Sequence, residues 1–318
     1  MDNLTKNIIL TPFNLLYKIS ARLDLKILFR LKLGYNLNLK NPVTYNEKLQ
    51  WIKLYDKNPL MPKCCDKYSV RNYVEEKGYK DILNTLIWEG FEPETIPFDQ
   101  LPKKFVIKVT HGSTFNIICT DKEKLDKKDT ISKCKKWLNA QFIPCYGEWF
   151  YGIEKPRIII EEYLENADGD LKDYKIYCFN GIPRYIGVSS KRGTREYSYN
   201  IYDTDWNLQE NVQLGHISSL NKIEKPECLD ELLQCAHDLS EEFLHARIDF
   251  YIVNKKIIFG EITFTNDSGL RKITPKSFDF KIGSYLKLPE NTRGGVLNDA
   301  FVIVKFDNAF SRSVILAG

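Results

Sequence analysis

The sequence predicts an α+β fold whose antiparallel hairpins carry the chemistry. Three observations point to it. Residues 247 to 253 and 257 to 264 are rich in Ile, Val, Phe and Tyr, with Asn254, Lys255 and Lys256 between them, the pattern of a β-hairpin. Residues 173 to 179 and 182 to 190 flank Asn180-Gly181, a preferred two-residue turn, and read as a second hairpin. Helix signals stand apart from both: Thr44 and Glu47 form a capping box, and Pro226 suits the first turn of a helix expected over 226 to 244.

At 318 residues the chain suits two domains or one large one. Its 43% hydrophobic and 28% charged content is ordinary for a soluble globular protein, whereas 13% aromatic residues is high. That share fits packing, or polar ligands held against ring faces. A net charge of +4, with lysines interspersed among acids, argues against a nucleic-acid partner. The eight cysteines show no CxxC or zinc spacing and read as free thiols of a reducing cytoplasm. No apolar run approaches the length of a membrane span.

In chain order, residues 1 to 35 read as helical, with Ile8, Ile9, Leu10, Phe13, Leu15, Leu16, Ile19, Leu23, Leu25, Ile27, Leu28 and Leu31 interleaved with Lys and Arg. Two readings stand: a packed helix pair, or an interfacial helix giving peripheral contact with the inner face of an anionic membrane. The capping box opens a helix through Leu49, Trp51, Ile52 and Tyr55. A single helix is expected over 65 to 77, ending at Gly78, then a strand over 82 to 89 and a Pro-punctuated loop over 91 to 103. Strands are expected at 105 to 110, 116 to 120, 157 to 163 and near 198 to 203, with a Lys-rich helix over 121 to 139. DAFVIVKF, within 290 to 318, reads as a further strand.

Several constellations carry chemistry. Lys108 stands among Val106, Ile107 and Val109, where an ammonium must reach the sheet edge or meet an anion. His111-Gly112-Ser113-Thr114 and Asn116 follow, a small-residue loop that suits a phosphate cradle or an ordinary hairpin turn. It is not a P-loop. Glu161-Glu162-Tyr163-Leu164 ends an apolar strand, a place for solvated acids or for an adenine and ribose contact. Lys175 shares a strand face with Asp173 and Tyr177, and Arg192 follows the hairpin. Arg247 and Asp249 alternate with apolar residues, and Glu261 lies on the partner strand, so two carboxylates converge on one floor. Such a pair repels unless a cation or a proton sits between its members, and hard oxygens suit Mg²⁺; a hairpin with solvated acids is the other reading.

The order of these pieces resembles the TupA-like ATP-grasp family, named for teichuronopeptide biosynthesis. The matching stretches are NPVTYNEKLQWIKLYD at 41 to 56, DKYSVRNYV at 66 to 74, LPKKFVIKVTHGS at 101 to 113, NIICTDK at 116 to 122, PRIIIEEYLE at 156 to 165, DLKDYKIYCFNGIP at 170 to 183, and RIDFY at 247 to 251 with FGEITF at 259 to 264. The resemblance implies an ATP-grasp fold, two α+β subdomains sandwiching ATP, behind a helical N-terminal segment. It implies a segment at 1 to 40, an α/β subdomain at 41 to 100, a small ATP-grasp subdomain with a phosphate flap at 101 to 165, a large one with the metal site at 166 to 289, and a tail at 290 to 318. The implied activity is ATP- and Mg²⁺-dependent carboxylate–amine ligation through an acyl phosphate, joining an amine to a carboxylated sugar in surface polysaccharide or capsule biosynthesis. A glycosyltransferase is the alternative, with Asp203 and Asp205 as the nearest Asp-x-Asp pair.

Carried onto this chain, Lys108 resembles the phosphate lysine, residues 111 to 116 the flap, and Glu161 to Leu164 the adenine hinge and ribose contact. Lys175 and Arg247 resemble the catalytic cations, with Arg192 beside them, and Asp249 and Glu261 the Mg²⁺ ligands. The flap departs from the family's HGSGxN in carrying Thr114-Phe115. Thr263 stands where many ATP-grasp enzymes place a third metal ligand, which leaves Ser268 or water for that role.

Overall fold

The computed structural model describes residues 3–214 and 222–289, with side chains from residue 9 onward. Residues through Lys287 form one body, and Leu288 begins a separate unit. The strand expected from DAFVIVKF lies outside the described residues.

The chain opens with two helices, α1 (Asn3–Ile19) and α2 (Ala21–Leu33), joined at Ser20, whose side chain accepts the Leu23 N–H. Leu10 and Leu28 bury together against Cys145, so the predicted helix pair forms. The capping box is present: the Thr44 hydroxyl accepts from Glu47 N–H, the Glu47 carboxylate accepts from Thr44 N–H, and α3 (Tyr45–Tyr55) follows.

A separate helix, α4 (Leu60–Cys65), ends where the helix expected over 65 to 77 was to begin, and that helix is shortened to α5 (Val70–Glu76). Asp66 separates them, because its carboxylate accepts the N–H groups of Tyr68 and Ser69, each at 2.9 Å, and offers the backbone an alternative to the helix. The strand expected from 82 begins four residues later as β1 (Leu86–Gly90), since residues 80–82 close a 3₁₀ turn.

A four-stranded antiparallel sheet combines β1 with β2 (Phe105–Val109), β3 (Asn116–Cys119) and β4 (Ile158–Glu162), in the order β1-β4-β2-β3. Its core joins Phe105, Ile107 and Val109 to Ile158 and Ile160, covered by α6 (Lys127–Leu138) through Cys134. This helix starts later than expected because Asp126 caps it, accepting the Asp129 N–H.

The second sheet is five-stranded and antiparallel, built from β5 (Asp173–Phe179), β6 (Ile182–Ser190), β7 (Ser198–Asp203), β8 (His245–Val253) and β9 (Lys256–Thr263). Its order is β7-β6-β5-β8-β9. Both predicted hairpins are present, and they meet where β5 pairs with β8. Helix α7 (Leu229–Ser240) packs on this sheet, starting at 229 because Pro226 to Leu229 is taken up by a turn. Helix α8 (Lys276–Tyr285) closes the body against α3.

Candidate active site

The site begins with a register. β5 places Lys175 opposite Asp249 and Tyr177 opposite Arg247; β8 and β9 place Asp249 opposite Glu261 and Arg247 opposite Thr263. The pairing then shifts by one residue, so that Phe250 faces Phe259 and Gly260 becomes the extra residue of a bulge. A β-carbon at Gly260 would stand 2.9 Å from the Asp249 carbonyl oxygen, so only glycine lets the strands approach here.

Side chains on this floor form a chain of alternating charge. Arg192 donates to Asp173 at 2.9 Å, and Lys175 donates to Asp173 at 2.6 Å and to Asp249 at 2.7 Å. Arg247 donates to both oxygens of Asp249 at 2.7 Å, reaches the Thr263 hydroxyl oxygen at 3.1 Å and lies 3.5 Å from Glu261. Lys67 continues the chain, 3.8 Å from Glu261.

Burial alone would raise the Asp249 pKa, but Arg247 and Lys175 hold it below the usual carboxylate range. Asp173 goes the other way: burial pushes it up, although Lys175 opposes the shift. Burial would lower Lys175, yet Asp249 and Asp173 hold it above the ordinary lysine value. Asp249 is thus the firm anion of the cluster, and Lys175 and Arg247 are firm cations.

Asp249 and Glu261 are two hard-oxygen donors at one register position. Three N–H donors reach Asp249, leaving about one of its four lone-pair sites. Glu261 is held by longer contacts, from Arg247 and the Thr263 hydroxyl at 3.5 Å and from Lys67 at 3.8 Å. This donor set fits magnesium held by one or two carboxylates together with phosphate oxygens. Among the described residues, no three His, Cys, Asp or Glu side chains group as a metal cage. Ser268 is not aimed there: its hydroxyl donates to buried Glu148 at 2.9 Å.

In the four-stranded sheet, the Lys108 ammonium meets a fixed anion, donating to Glu161 at 2.6 Å. Arg71 reaches the other oxygen of Glu161 at 3.3 Å. Glu161 is buried between these cations, whereas Glu162 is exposed, with its N–H on the Thr85 carbonyl and its own carbonyl accepting from Asn84. Tyr163 and Leu164 are half-buried beyond the strand end.

The loop after β2 closes through the Val109 N–H on the Phe115 carbonyl at 2.9 Å. Ser113, Thr114 and Asn116 form its exposed crest, with Thr114 at φ 66°. Phe115 turns inward, stacks on Trp137 at 5.6 Å and fills the space a side chain on Gly112 would need. The His111 side chain departs from the expected phosphate contact. It is buried, with Nε2 against the Ala140 carbonyl at 2.8 Å, so only its backbone belongs to the loop.

Lys67 and Arg71 were visible in the sequence only as polar positions of a helix. Lys67 donates to the Gly112 carbonyl at 2.9 Å and approaches Glu261, while Arg71 approaches Glu161. One short segment therefore joins the phosphate-type loop to the carboxylate floor. Lys67 sits in the turn before α5 and Arg71 within the helix, and the matching stretch DKYSVRNYV was the available signal.

A cavity of about 440 Å³ adjoins the charge chain, lined in part by Lys175, Arg192, Arg247, Tyr177, Tyr199 and Asp267. Asp267 is its one carboxylate among the described lining residues. It lies in a run of left-handed backbone, with φ 49° at Asp267, 55° at Ser268 and 60° at Gly269, unfavourable for non-glycine residues. The buried polar face of α3 holds this loop. Asn46 donates to the Arg271 carbonyl at 3.1 Å, Gln50 to the Gly269 carbonyl at 2.8 Å and Lys53 to the Ser268 carbonyl at 2.8 Å. Asp203 serves a different purpose: its carboxylate accepts the backbone N–H groups of Asp205 and Asn207 and so builds a turn.

A family model described as TupA-like ATP-grasp matches residues 47–287, more than half of the chain. No curated protein matches. Among solved structures, a D-alanine–D-alanine ligase from Bacillus anthracis complexed with ATP is 16% identical, with 64% of this chain and 55% of that chain covered and a TM-score of 0.39. An L-amino acid ligase from Bacillus licheniformis is 14% identical, with 71% and 50% covered and a TM-score of 0.44. A D-alanine–D-alanine ligase from Helicobacter pylori is 15% identical, with 76% and 69% covered and a TM-score of 0.40. The chain thus spans about half the length of the first two.

Proposed function

Because this chain belongs to the TupA-like ATP-grasp family, we propose that it is an ATP-dependent carboxylate–amine ligase acting through an acyl phosphate. The observation that carries this reading is the 440 Å³ cavity in which Lys175, Arg192 and Arg247 come together with Asp267. Three cations suit a carboxylate and a transferring phosphoryl group; one carboxylate suits an amine.

In the first step, a carboxylate oxygen of the acid attacks the γ-phosphorus of ATP, the bond to the bridging oxygen breaks, and ADP leaves. In the second, the amine attacks the acyl carbon, the bond to the phosphate oxygen breaks, and phosphate and a proton depart. Arg247 and Lys175 stabilise the charge that develops on the acyl phosphate, and Arg192 holds the incoming acid or the γ-phosphate. Lys108 has three ammonium donors and spends one on Glu161, which leaves donors for the phosphates. The exposed crest of Ser113, Thr114 and Asn116, with Gly112, covers them. Residues 161 to 164 hold the adenine and ribose. Asp249 and Glu261 would hold Mg²⁺, which when bound neutralises phosphate charge. Catalysis comes from positioning and electrostatics, with no protein nucleophile.

The acid is a carboxylated sugar used in surface polysaccharide assembly. Tyr177 and Tyr199 in the cavity wall support this choice: their phenols bond each other at 2.8 Å, which spends one donor of the pair and leaves one O–H for a sugar hydroxyl. We place the reaction in the cytoplasm, at the inner face of a membrane. Incubation with ATP, Mg²⁺ and panels of uronic acids and amino acids tests the reading. ADP, phosphate and amide product should form in equal amounts. A glycosylated product made from a nucleotide sugar without ATP consumption overturns it.

A further inference from the structure

The outer face of the N-terminal helix pair has an unusual composition. Six of the twelve large hydrophobic side chains exposed among the described residues lie on α1 and α2: Ile9, Leu15, Ile19, Leu23, Ile27 and Leu31. Leu31 is 67% exposed and Ile19 71%. On α2 these residues fall every four positions, and so do Arg22, Lys26 and Arg30. An apolar column and a basic column therefore run side by side along one exposed face. The opposite face, with Leu25, Leu28 and Phe29, is buried in the body.

Charge on this surface has one sign. Lys18, Arg22, Lys26 and Arg30 are all exposed, while the only acid between residues 9 and 33, Asp24, is fully buried. At the end of α2 a shallow groove is lined by Lys26, Ile27, Arg30, Leu31, Gly34 and Asn36. Asn36 accepts from Arg30 at 2.7 Å and helps fix the guanidinium there. No helix among the described residues is long and apolar enough to cross a bilayer.

We propose that α1 and α2 lie flat on an anionic phospholipid bilayer. The exposed Leu and Ile side chains enter the acyl boundary, and the flanking cations meet lipid phosphates, one headgroup seating in the groove between Lys26 and Arg30. Apolar and basic columns on one face are the pattern of an interfacial helix. Charge complementarity selects this partner over a second copy of the chain, because two such faces brought together would oppose like charges. The surface is separate from the ligase cavity, and its test does not depend on turnover.

The test is co-sedimentation of the full chain with phosphatidylcholine vesicles, with or without about 30% phosphatidylglycerol. The protein should pellet with the anionic vesicles, stay in solution with the neutral ones, and be released by about 0.5 M salt. The pair Lys26→Ala and Arg30→Ala should weaken binding about twenty-five-fold, at about fivefold per cation. The pair Leu23→Glu and Leu31→Glu should abolish it with the melting temperature unchanged, because both side chains are exposed. Failure of the wild-type chain to bind anionic vesicles overturns the proposal, as does equal binding by the Glu variants. So does sedimentation as a dimer without lipid that the same Glu changes dissolve, since the face would then belong to a second copy.

Discussion

Asp249 and Glu261 face each other across β8 and β9 one residue before the bulge at Gly260. The bulge lets two acids occupy one register position without displacing the apolar pairs that follow, such as Phe250 with Phe259. Gly260→Ala would push a methyl group to 2.9 Å from the Asp249 carbonyl oxygen. The expected result is a stability loss of about 1–3 kcal/mol, read by urea denaturation. ATP turnover should fall at least about tenfold, because the acids no longer align.

Lys175 separates Asp173 from Asp249 on the buried floor. Lys175→Met removes the cation and leaves two acids facing each other in low dielectric. Loss of one member of such a buried network costs about 3–5 kcal/mol. Changing Asp173→Asn in the same chain should restore part of that stability but none of the turnover. Denaturant melts with parallel phosphate-release assays separate the two effects.

Asp267 brings the one carboxylate among the described lining residues into a cavity that holds three cations. Asp267→Asn should raise the KM for the amine by about five- to tenfold. Trapping of the acyl phosphate by hydroxylamine, a small neutral nucleophile, should proceed as in the wild type. Equal loss in both assays would assign Asp267 to the acid or ATP instead.

Asp24 is fully buried on the inner face of α2, and neither carboxylate oxygen has a hydrogen-bond partner. Burial pushes its pKa up to about 7 from an ordinary 3.8, with Lys53 pulling the other way. The folded state therefore keeps this proton to higher pH than the unfolded chain does. Stability from this group is full below about 3.8 and is lost as pH rises to about 7. Asp24→Asn removes that dependence. Its melting temperature relative to the wild type should climb by a few degrees between pH 5 and pH 8. A constant difference across that range would contradict the assignment.

Much of this molecule was legible along the chain because the signals are local. The capping box at Thr44 and Glu47, the Asn180-Gly181 hairpin and the alternation of Arg247 and Asp249 each depend on neighbours within a few residues. Element boundaries were less legible where a side chain competes with the backbone, as Asp66 does between α4 and α5.

The sequence by itself determined the α+β class, both hairpins and the faces on which Lys175, Arg247 and Asp249 lie, since strand periodicity assigns faces without tertiary contacts. Only the tertiary structure decided which charges meet. It paired Lys108 with Glu161, 53 positions away, buried His111 against Ala140, and brought Lys67 to both Gly112 and Glu261. It also showed that Asn46, Gln50 and Lys53 turn inward to hold the loop that carries Asp267. Those contacts join segments far apart in sequence. Their partners are set by how sheets and helices pack, and spacing along one segment holds no record of the other.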